Sequence, residues 1–475
     1  MYPAVFILLA AVPEHVMVEA AMSQKLSEII KDLDRIIDGD IDEKYLTDSL
    51  GRVKGAASYV VFPISTEEVS GVMRYAYENG IAVTPRGAGT NLTGSTVPLK
   101  GGIVLDLSLM NHILEIDGDT LTATVEAGVI LGDFQAEVEK RGLFYPPDPG
   151  EKKSSIGGNI STNAGGMRAV KYGVTRDYVR GLEIVLANGE VTTVGSKNVK
   201  DSSGLSLKNL IVGSEGTLAV ITKCLLRLVP KPEKSVTAVV PYENLEDGIN
   251  SVIKIIHGNT SPTAIEFVER EVAKLREDYL GIFFPFPEAK AYILLSFDGS
   301  EASIAENVAK TKEIVLSNKA SGFKELSPTE AEDIWKVRGA LVTSIEAVSE
   351  QEPVDVVVPI NRSSEFIKFV HEREQKTGMQ LIGFGHAGDG NVHVSVVRGE
   401  LSEEEWIRIR DENMSAIYDK AAELGGLTSG EHGLGTTKKK YFLKNTDEAA
   451  VLLMRKIKDA LDEKHILNDN KCYQS

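Results

Sequence analysis

His386 and His393 flank a Gly-Asp-Gly-Asn turn in the stretch Gly385-His-Ala-Gly-Asp-Gly-Asn-Val-His393. Extended chain on both sides would let that turn fold back and bring the two imidazoles onto one site. Ser429-Gly-Glu-His-Gly-Leu-Gly435 then presents Glu431 and His432 in a glycine-flanked, non-helical loop. Two imidazoles and a carboxylate suit a divalent ion that keeps open coordination positions. A lone histidine is usually structural or solvated, but three of the chain's eight lie in these two loops. Residue types alone leave two readings open, a metal site or a pair of turns. The His-Glu-Xaa-Xaa-His helix pattern is absent, which rules out a zinc-protease site.

A second kind of chemistry is written in glycines. Arg86-Gly-Ala-Gly-Thr-Asn-Leu-Thr-Gly94 follows an apolar run. A Rossmann fingerprint needs glycine at position 92, where Leu92 stands, so the loop reads as a non-Rossmann phosphate cradle. Its glycines free backbone N–H groups to face an anion, and Arg86, Thr90 and Asn91 add side-chain donors. Alone, such a loop is more often a tight turn after a strand. Two further stretches weigh against turns alone: Ile156-Gly-Gly-Asn-Ile-Ser-Thr-Asn-Ala-Gly-Gly166 and Gly213-Ser-Glu-Gly216. Together the three suit a large polar cofactor.

These groups need elements to position them. Leu26, Ile29, Ile30, Leu33, Ile36 and Ile37 recur at helical spacing, with Ser23 as cap and Gly39 as stop. A strand at 59–62, a helix opened by the capping pattern Ser65-Thr-Glu-Glu68, and a strand at 81–84 lead into the first glycine loop. Strands at 103–107, 121–126, 182–186, 191–194 and 217–229 follow, with Asn188-Gly189 marking a hairpin. Pro230-Lys-Pro232 reads as a boundary. Beyond it, strands at 237–240, 264–268, 292–297, 354–358, 381–385 and 392–397 alternate with helices near 243–257, 301–318, 330–349, 363–377 and 402–424. No long parallel series is visible, so the pattern predicts α+β with antiparallel sheets.

Bulk properties exclude several classes. A net charge of −17 argues against nucleic acid as the main partner. Cys224 and Cys472 are the only cysteines, too few for a disulfide framework or a four-thiolate site. The apolar run 4–12 is short and has no basic flank, so neither a signal peptide nor a membrane span is expected. Met22 precedes the first amphipathic helix, and the first 21 residues read as an extension ahead of the fold.

Pro85-Arg-Gly-Ala-Gly-Thr-Asn-Leu-Thr-Gly94, Pro147-Asp-Pro149, the stretch 156–166, Tyr172-Gly-Val-Thr-Arg-Asp177 and Val212-Gly-Ser-Glu-Gly-Thr-Leu218 resemble the FAD-binding half of vanillyl-alcohol-oxidase type flavoproteins. More narrowly, the chain resembles the branch holding the glycolate oxidase D subunit and bacterial FAD-linked D-lactate dehydrogenases, from roughly residue 45 to the end. The resemblance implies a two-part FAD-binding domain (PCMH type) and a C-terminal α+β cap domain on an antiparallel sheet. The implied boundaries are an extension and helix at 1–44, the FAD domain at 45–232, the cap at 233–425, and a segment at 426–475 that returns to the flavin.

The resemblance also implies roles. Pro85, Arg86, Gly87, Ala88, Gly89, Thr90, Asn91 and Gly94 would hold the FAD pyrophosphate. Pro147, Asp148, Ile156, Gly157, Gly158, Asn159, Thr162, Asn163, Gly165, Tyr172 and Gly173 would line the rest, with Glu215, Gly216 and Ile221 toward the adenosine. No histidine or cysteine stands in these loops to attach the flavin, so FAD would be non-covalent. His386, His393 and Glu431 would ligate one divalent metal ion (Fe, Zn or Mn), and His432, working near its ordinary pKa of about 6.5, would be the base. Arg338 would clamp the substrate carboxylate, with Ser395 nearby. No further cation stands near Arg338, Val342 or Pro353, which favours a small 2-hydroxy monocarboxylate, D-lactate first and glycolate next.

Relatives differ in their electron acceptor, which is a quinone, an iron–sulfur partner or an electron-transferring flavoprotein; without a basic or apolar membrane segment, this chain is expected to use a separate protein such as the last. An iron–sulfur cluster would have to sit on another subunit, and a homo- or hetero-oligomer remains open. The implied location is cytoplasmic, at most peripheral to a membrane through a partner. Competing readings are a non-redox enzyme of the alkyl-dihydroxyacetone-phosphate synthase type, which would need a phosphate pocket, and a flavin relay or scaffold subunit. The ending Ile466-Leu-Asn-Asp-Asn470 departs from the Asn-Pro-Gly of relatives, which leaves the last contacts open.

Overall fold

The computed structural model describes residue 22 and residues 24–339, 345–346 and 349–474. The apolar run at 4–12, Ser23 and Val342 lie outside them. The first half is built on two main sheets, beside a short pairing of Leu143–Phe144 with Val229–Pro230. In the smaller, Tyr59–Val61, Ile103–Asp106 and Val83–Arg86 run parallel, with Ile103–Asp106 in the middle. The helix Thr66–Asn79 makes the crossover. Ser65 Oγ accepts from Glu68 N at its start, and Gly80 ends it in the left-handed region. Its Val69, Val72, Met73 and Ala76 are buried, so the strand–helix–strand–glycine-loop unit forms as its sequence predicts.

One expectation fails. Residues 26–37 do not make a single helix. A helical turn at 24–29 gives way to a 3-10 turn, Leu33–Arg35, and then to the strand Ile36–Asp38, antiparallel to Tyr59–Val61. Asp32 interrupts the helix by accepting from Asp34 N, the local competition typical of aspartate. Arg35 then fixes the strand through paired contacts of 2.6 and 2.8 Å to Glu68. Leu33, assigned to the apolar face, is 62% exposed.

The larger sheet is antiparallel, in the order Ile113–Asp117, Thr122–Glu126, Val220–Arg227, Val179–Val185 and Val191–Gly195. The Asn188-Gly189 turn joins its last two strands, with Val185 opposite Val191. Against this sheet, the glycine-rich stretch after Ser155 forms a helix, Ile156–Thr162, capped by Ser155. Gly157 is required there because a side chain would strike Ala127, whose carbonyl accepts Gly157 N at 2.8 Å.

The second half is one seven-stranded antiparallel sheet, in the order Lys324–Glu325, Lys234–Tyr242, Ala291–Gly299, Ala264–Glu269, Leu381–His386, Asn391–Val397 and Gln351–Val357. Period-2 alternation splits its two faces. Ile265, Phe267, Val354, Val356, Val392 and Val394 pack under the helices Leu245–His257, Glu301–Leu316, Ser363–Thr377 and Glu403–Glu423. The opposite face carries Val268, Phe384 and Ile382 against the helices Arg270–Leu280 and Pro328–Gly339. Glu266, Asp355, His386 and His393 stand at the positions alternating with the first set, so one sheet face gathers the charged groups.

The halves are tied together. Lys171 and Tyr172 bind Asp298, and Arg52 holds Glu352 at 2.9 Å. After the helix Glu448–Leu461, the chain returns to the first half, where Leu467 bridges Val83 in parallel and Asn468 donates to Ser95 O and Glu215 O. Ile466 and Leu467 join the first core. Among the described residues no helix is long and apolar enough to cross a membrane.

Candidate active site

The strand Val83–Arg86 opens into the first glycine loop, and the N-terminus of the helix Ile156–Thr162 lies beside it. Ser155 Oγ joins them, accepting from Ala88 N at 3.4 Å and Gly158 N at 3.2 Å. Between them runs a cleft with about 1170 Å3 of empty space. Its lining is residues 85–92, 157–159 and 162 among others, with Glu215, Gly216 and Ile221. Asn91 Oδ1 is buried there with no hydrogen-bond partner, as an intended ligand contact would leave it. The glycine walls and the unpaired polar atom fit FAD.

Several residues assigned to the cofactor lie outside this lining and frame the cleft instead. Asp148 pairs with Lys152 and Arg168, Ile156 is core, Asn163 ends the helix and accepts Arg176 N, and Tyr172 faces Asp298. Gly94, Pro147, Gly165 and Gly173 are likewise off the wall, though Gly165 backs onto Glu431. Arg86 lines the cleft while its guanidinium braces the loop through Thr47 O and Thr96 Oγ1. Glu215 faces the other way as well, accepting from Leu434 N at 2.7 Å, Gly435 N at 3.0 Å and Ser95 Oγ. It thereby latches the 429–435 loop to the cleft.

Glu431 and His432 line one end of the same cleft, and there the histidine motif meets it. Strand register brings the partners together: Glu266 lies opposite His386, and His393 lies opposite both Phe384 and Asp355. His386 Nε2 and His393 Nε2 stand 3.7 and 3.3 Å from Glu431 Oε1. Two ligands on one tetrahedral ion at ~2.0–2.1 Å are separated by roughly 3.3 Å. Glu431 Oε2 is buried without a hydrogen-bond partner. The donor set therefore fits a divalent ion.

Glu266, fully buried, accepts from His386 Nδ1 at 2.7 Å and from Arg338 Nε at 2.9 Å. A carboxylate behind a metal-binding histidine fixes its tautomer and raises its basicity. Burial opposes charge on His386, but Glu266 and Glu431 override it and hold the imidazole well above its ordinary range. Burial likewise opposes ionisation of Glu431, and His386 and His393 pull its carboxyl far below the usual value. A cation between these groups would replace the imidazolium proton.

Asp355, His393 and His432 also cluster, but they fit a metal poorly. Asp355 already accepts from five donors, one of them the Lys438 ammonium at 3.1 Å.

Two expectations need revision. His432 does not work near its ordinary pKa. Burial pushes it down to about 4, against the pull of Asp355, so it is neutral at pH 7. Arg338 is not a free clamp, since its guanidinium is buried on Glu266 and lies over the Phe384 ring. Ser395 is buried on the same sheet face as His393, between Pro353 and Ile382. Sequence reasoning missed Glu266, Asp355 and Ser155 as site residues. The available signal was a single acid inside each apolar strand, in Ala-Ile-Glu-Phe-Val and Pro-Val-Asp-Val-Val, because acids are rarely buried unless paired.

The FAD binding domain family matches residues 57–195, and the C-terminal domain of FAD linked oxidases matches residues 231–472. The chain is 40% identical over 464 residues to a D-lactate dehydrogenase of Anaerostipes hadrus, covering 95% of this chain and 97% of the relative. It is 38% identical over 434 residues to glycolate oxidase subunit GlcD of Bacillus subtilis, covering 90% and 92%. Among solved structures, p-cresol methylhydroxylase with substrate bound superposes with a TM-score of 0.80 at 18% identity, covering 98% of each chain. That last likeness establishes the fold.

Proposed function

The chain belongs to the FAD-linked oxidase family, and from that premise we propose that it oxidises a small 2-hydroxy acid to the 2-oxo acid. D-lactate is the favoured substrate and glycolate the next. The observation that carries this reading is the meeting of His386, His393, Glu431 and His432 at one end of the glycine-walled cleft. When bound, FAD would accept the hydride from the α-carbon, and a divalent ion on His386, His393 and Glu431 would make the substrate hydroxyl more acidic.

The chain's own groups do the rest. His432, neutral at pH 7, takes the hydroxyl proton. Its ring stacks on His393 with centroids 5.3 Å apart, which keeps it beside the ligand set. Arg338 and Ser395 form the side we assign to the substrate carboxylate, the guanidinium sharing its charge with Glu266. A relay role without turnover would have no use for this convergence. For the acceptor we favour a separate protein, such as an electron-transferring flavoprotein.

The test is dye-linked turnover of D-lactate by the wild type, with pyruvate as product, and by His432→Ala. Loss of general-base catalysis costs about 10²–10⁴-fold, with bound flavin retained. Turnover by His432→Ala within a few-fold of wild type sinks the base assignment.

A further inference from the structure

We propose that Asp355 is the residue that positions the base, anchoring the His432 loop and fixing which imidazole nitrogen faces the substrate. This rests on the reading of His432 as the base. Asp355 lies in the strand Gln351–Val357, directly across from His393, with no solvent exposure. Its Oδ2 accepts from His432 N at 2.8 Å, Glu431 N at 3.1 Å, Ser429 Oγ at 2.7 Å and Lys438 Nζ at 3.1 Å. Oδ1 accepts from Asn391 Nδ2 at 2.8 Å, and that amide also donates to Val356 O. One carboxylate therefore holds the backbone of the proposed base and of a proposed metal ligand, and it lies opposite a second ligand.

Its relation to the ring completes the case. His432 Nδ1 is buried without a hydrogen-bond partner and stands 3.9 Å from Asp355 Oδ2. That distance is too long for a hydrogen bond, so the carboxylate acts on the ring through its charge, which favours the proton on the nitrogen that faces it. No other acid is as near that nitrogen among the described residues. The arrangement puts the ring proton on Nδ1, toward the carboxylate, and leaves Nε2 as the acceptor on the side of Glu431. A buried carboxylate behind a histidine base selects its tautomer and stabilises the imidazolium that forms. Lys438, buried beside Asp355 at 3.1 Å, pairs with it out of water.

The test is anaerobic stopped-flow reduction of the bound flavin by the substrate that bleaches the wild type. A wild type that none of the hydroxy acids bleaches would mean that the functional reading itself has failed. With a reactive wild type, Asp355→Asn is expected to slow flavin reduction by about 10³-fold or more, in line with the loss seen when a base is left in the wrong tautomer. Substrate Kd should stay within about 3-fold, with flavin and metal content unchanged. In a His432→Ala background the same substitution should cost less than about 3-fold, because residues acting as one unit are not additive.

A rate within about 10-fold of wild type overturns the proposal. So does a loss matched by loss of flavin or metal, or an effect that persists in full without His432. If Asp355→Asn does not fold, the wild type labelled with 15N-histidine decides. The resonance that His432→Ala removes should show a protonated Nδ1 in the neutral ring, and a protonated Nε2 overturns the assignment.

Discussion

Glu266→Gln separates two forces that the structure joins. Glu266 is fully buried between His386 and Arg338, and glutamine keeps its shape while removing its charge. For the metal, His386 loses the carboxylate that raises its basicity, a change that typically costs 10–100-fold in affinity, or about 1.4–2.7 kcal/mol. For the fold, the Arg338 guanidinium is left uncompensated, and breaking a buried pair costs about 3–5 kcal/mol. In a domain of this size each kcal/mol shifts Tm by about 2–4 °C, so the apoprotein should melt roughly 6–20 °C lower. Calorimetry of the apoprotein reads the second term, and competition with a chromophoric chelator reads the first. Adding Arg338→Met should restore most of the Tm, since the unpaired charge is gone, but should leave metal affinity low. Metal affinity within about 3-fold of wild type, together with a Tm shift under about 2 °C, would show that Glu266 neither tunes His386 nor neutralises Arg338.

Two further outcomes are expected. In Gly87→Ala the new methyl would collide with Ser155 Oγ, the atom joining both walls of the cleft, so flavin content after gel filtration should fall several-fold while the Tm of the C-terminal half holds. Burial pushes the Lys471 ammonium down to about 7, so from there to about 10.5 the unfolded chain binds a proton that the folded chain does not. Stability should therefore rise with pH across that window by up to ~1.4 kcal/mol per unit and stay flat from this source below pH 7. Lys471→Met should remove that slope in urea titrations at pH 7 and 9, and identical slopes would contradict the assignment.

The cofactor half was readable because its devices are local. A capping pattern, an Asn-Gly turn and glycines after a strand announce themselves within ten residues, and each stands where its spacing predicts. His386, His393, Glu431 and His432 were visible as residue types at tight spacing. What stayed hidden depends on register. Glu266 and Asp355 are single acids in apolar strands, and nothing in the chain reveals that 120 residues separate Glu266 from His386, its neighbour across the sheet. The pairing of Arg338 with Glu266 was hidden for the same reason. The helix Ile156–Thr162 was hidden by its own glycines, poor helix formers that the contact with Ala127 demands. The break after Ile30 was lost because Ile36 and Ile37 keep a helical period while belonging to a strand.

The most direct test of the central claim is an anaerobic absorption spectrum of the flavin-loaded protein before and after D-lactate, L-lactate or glycolate. D-lactate should bleach the oxidised flavin band, with glycolate next and L-lactate without effect. A band that stays oxidised with all three, in a folded and flavin-loaded sample, contradicts it.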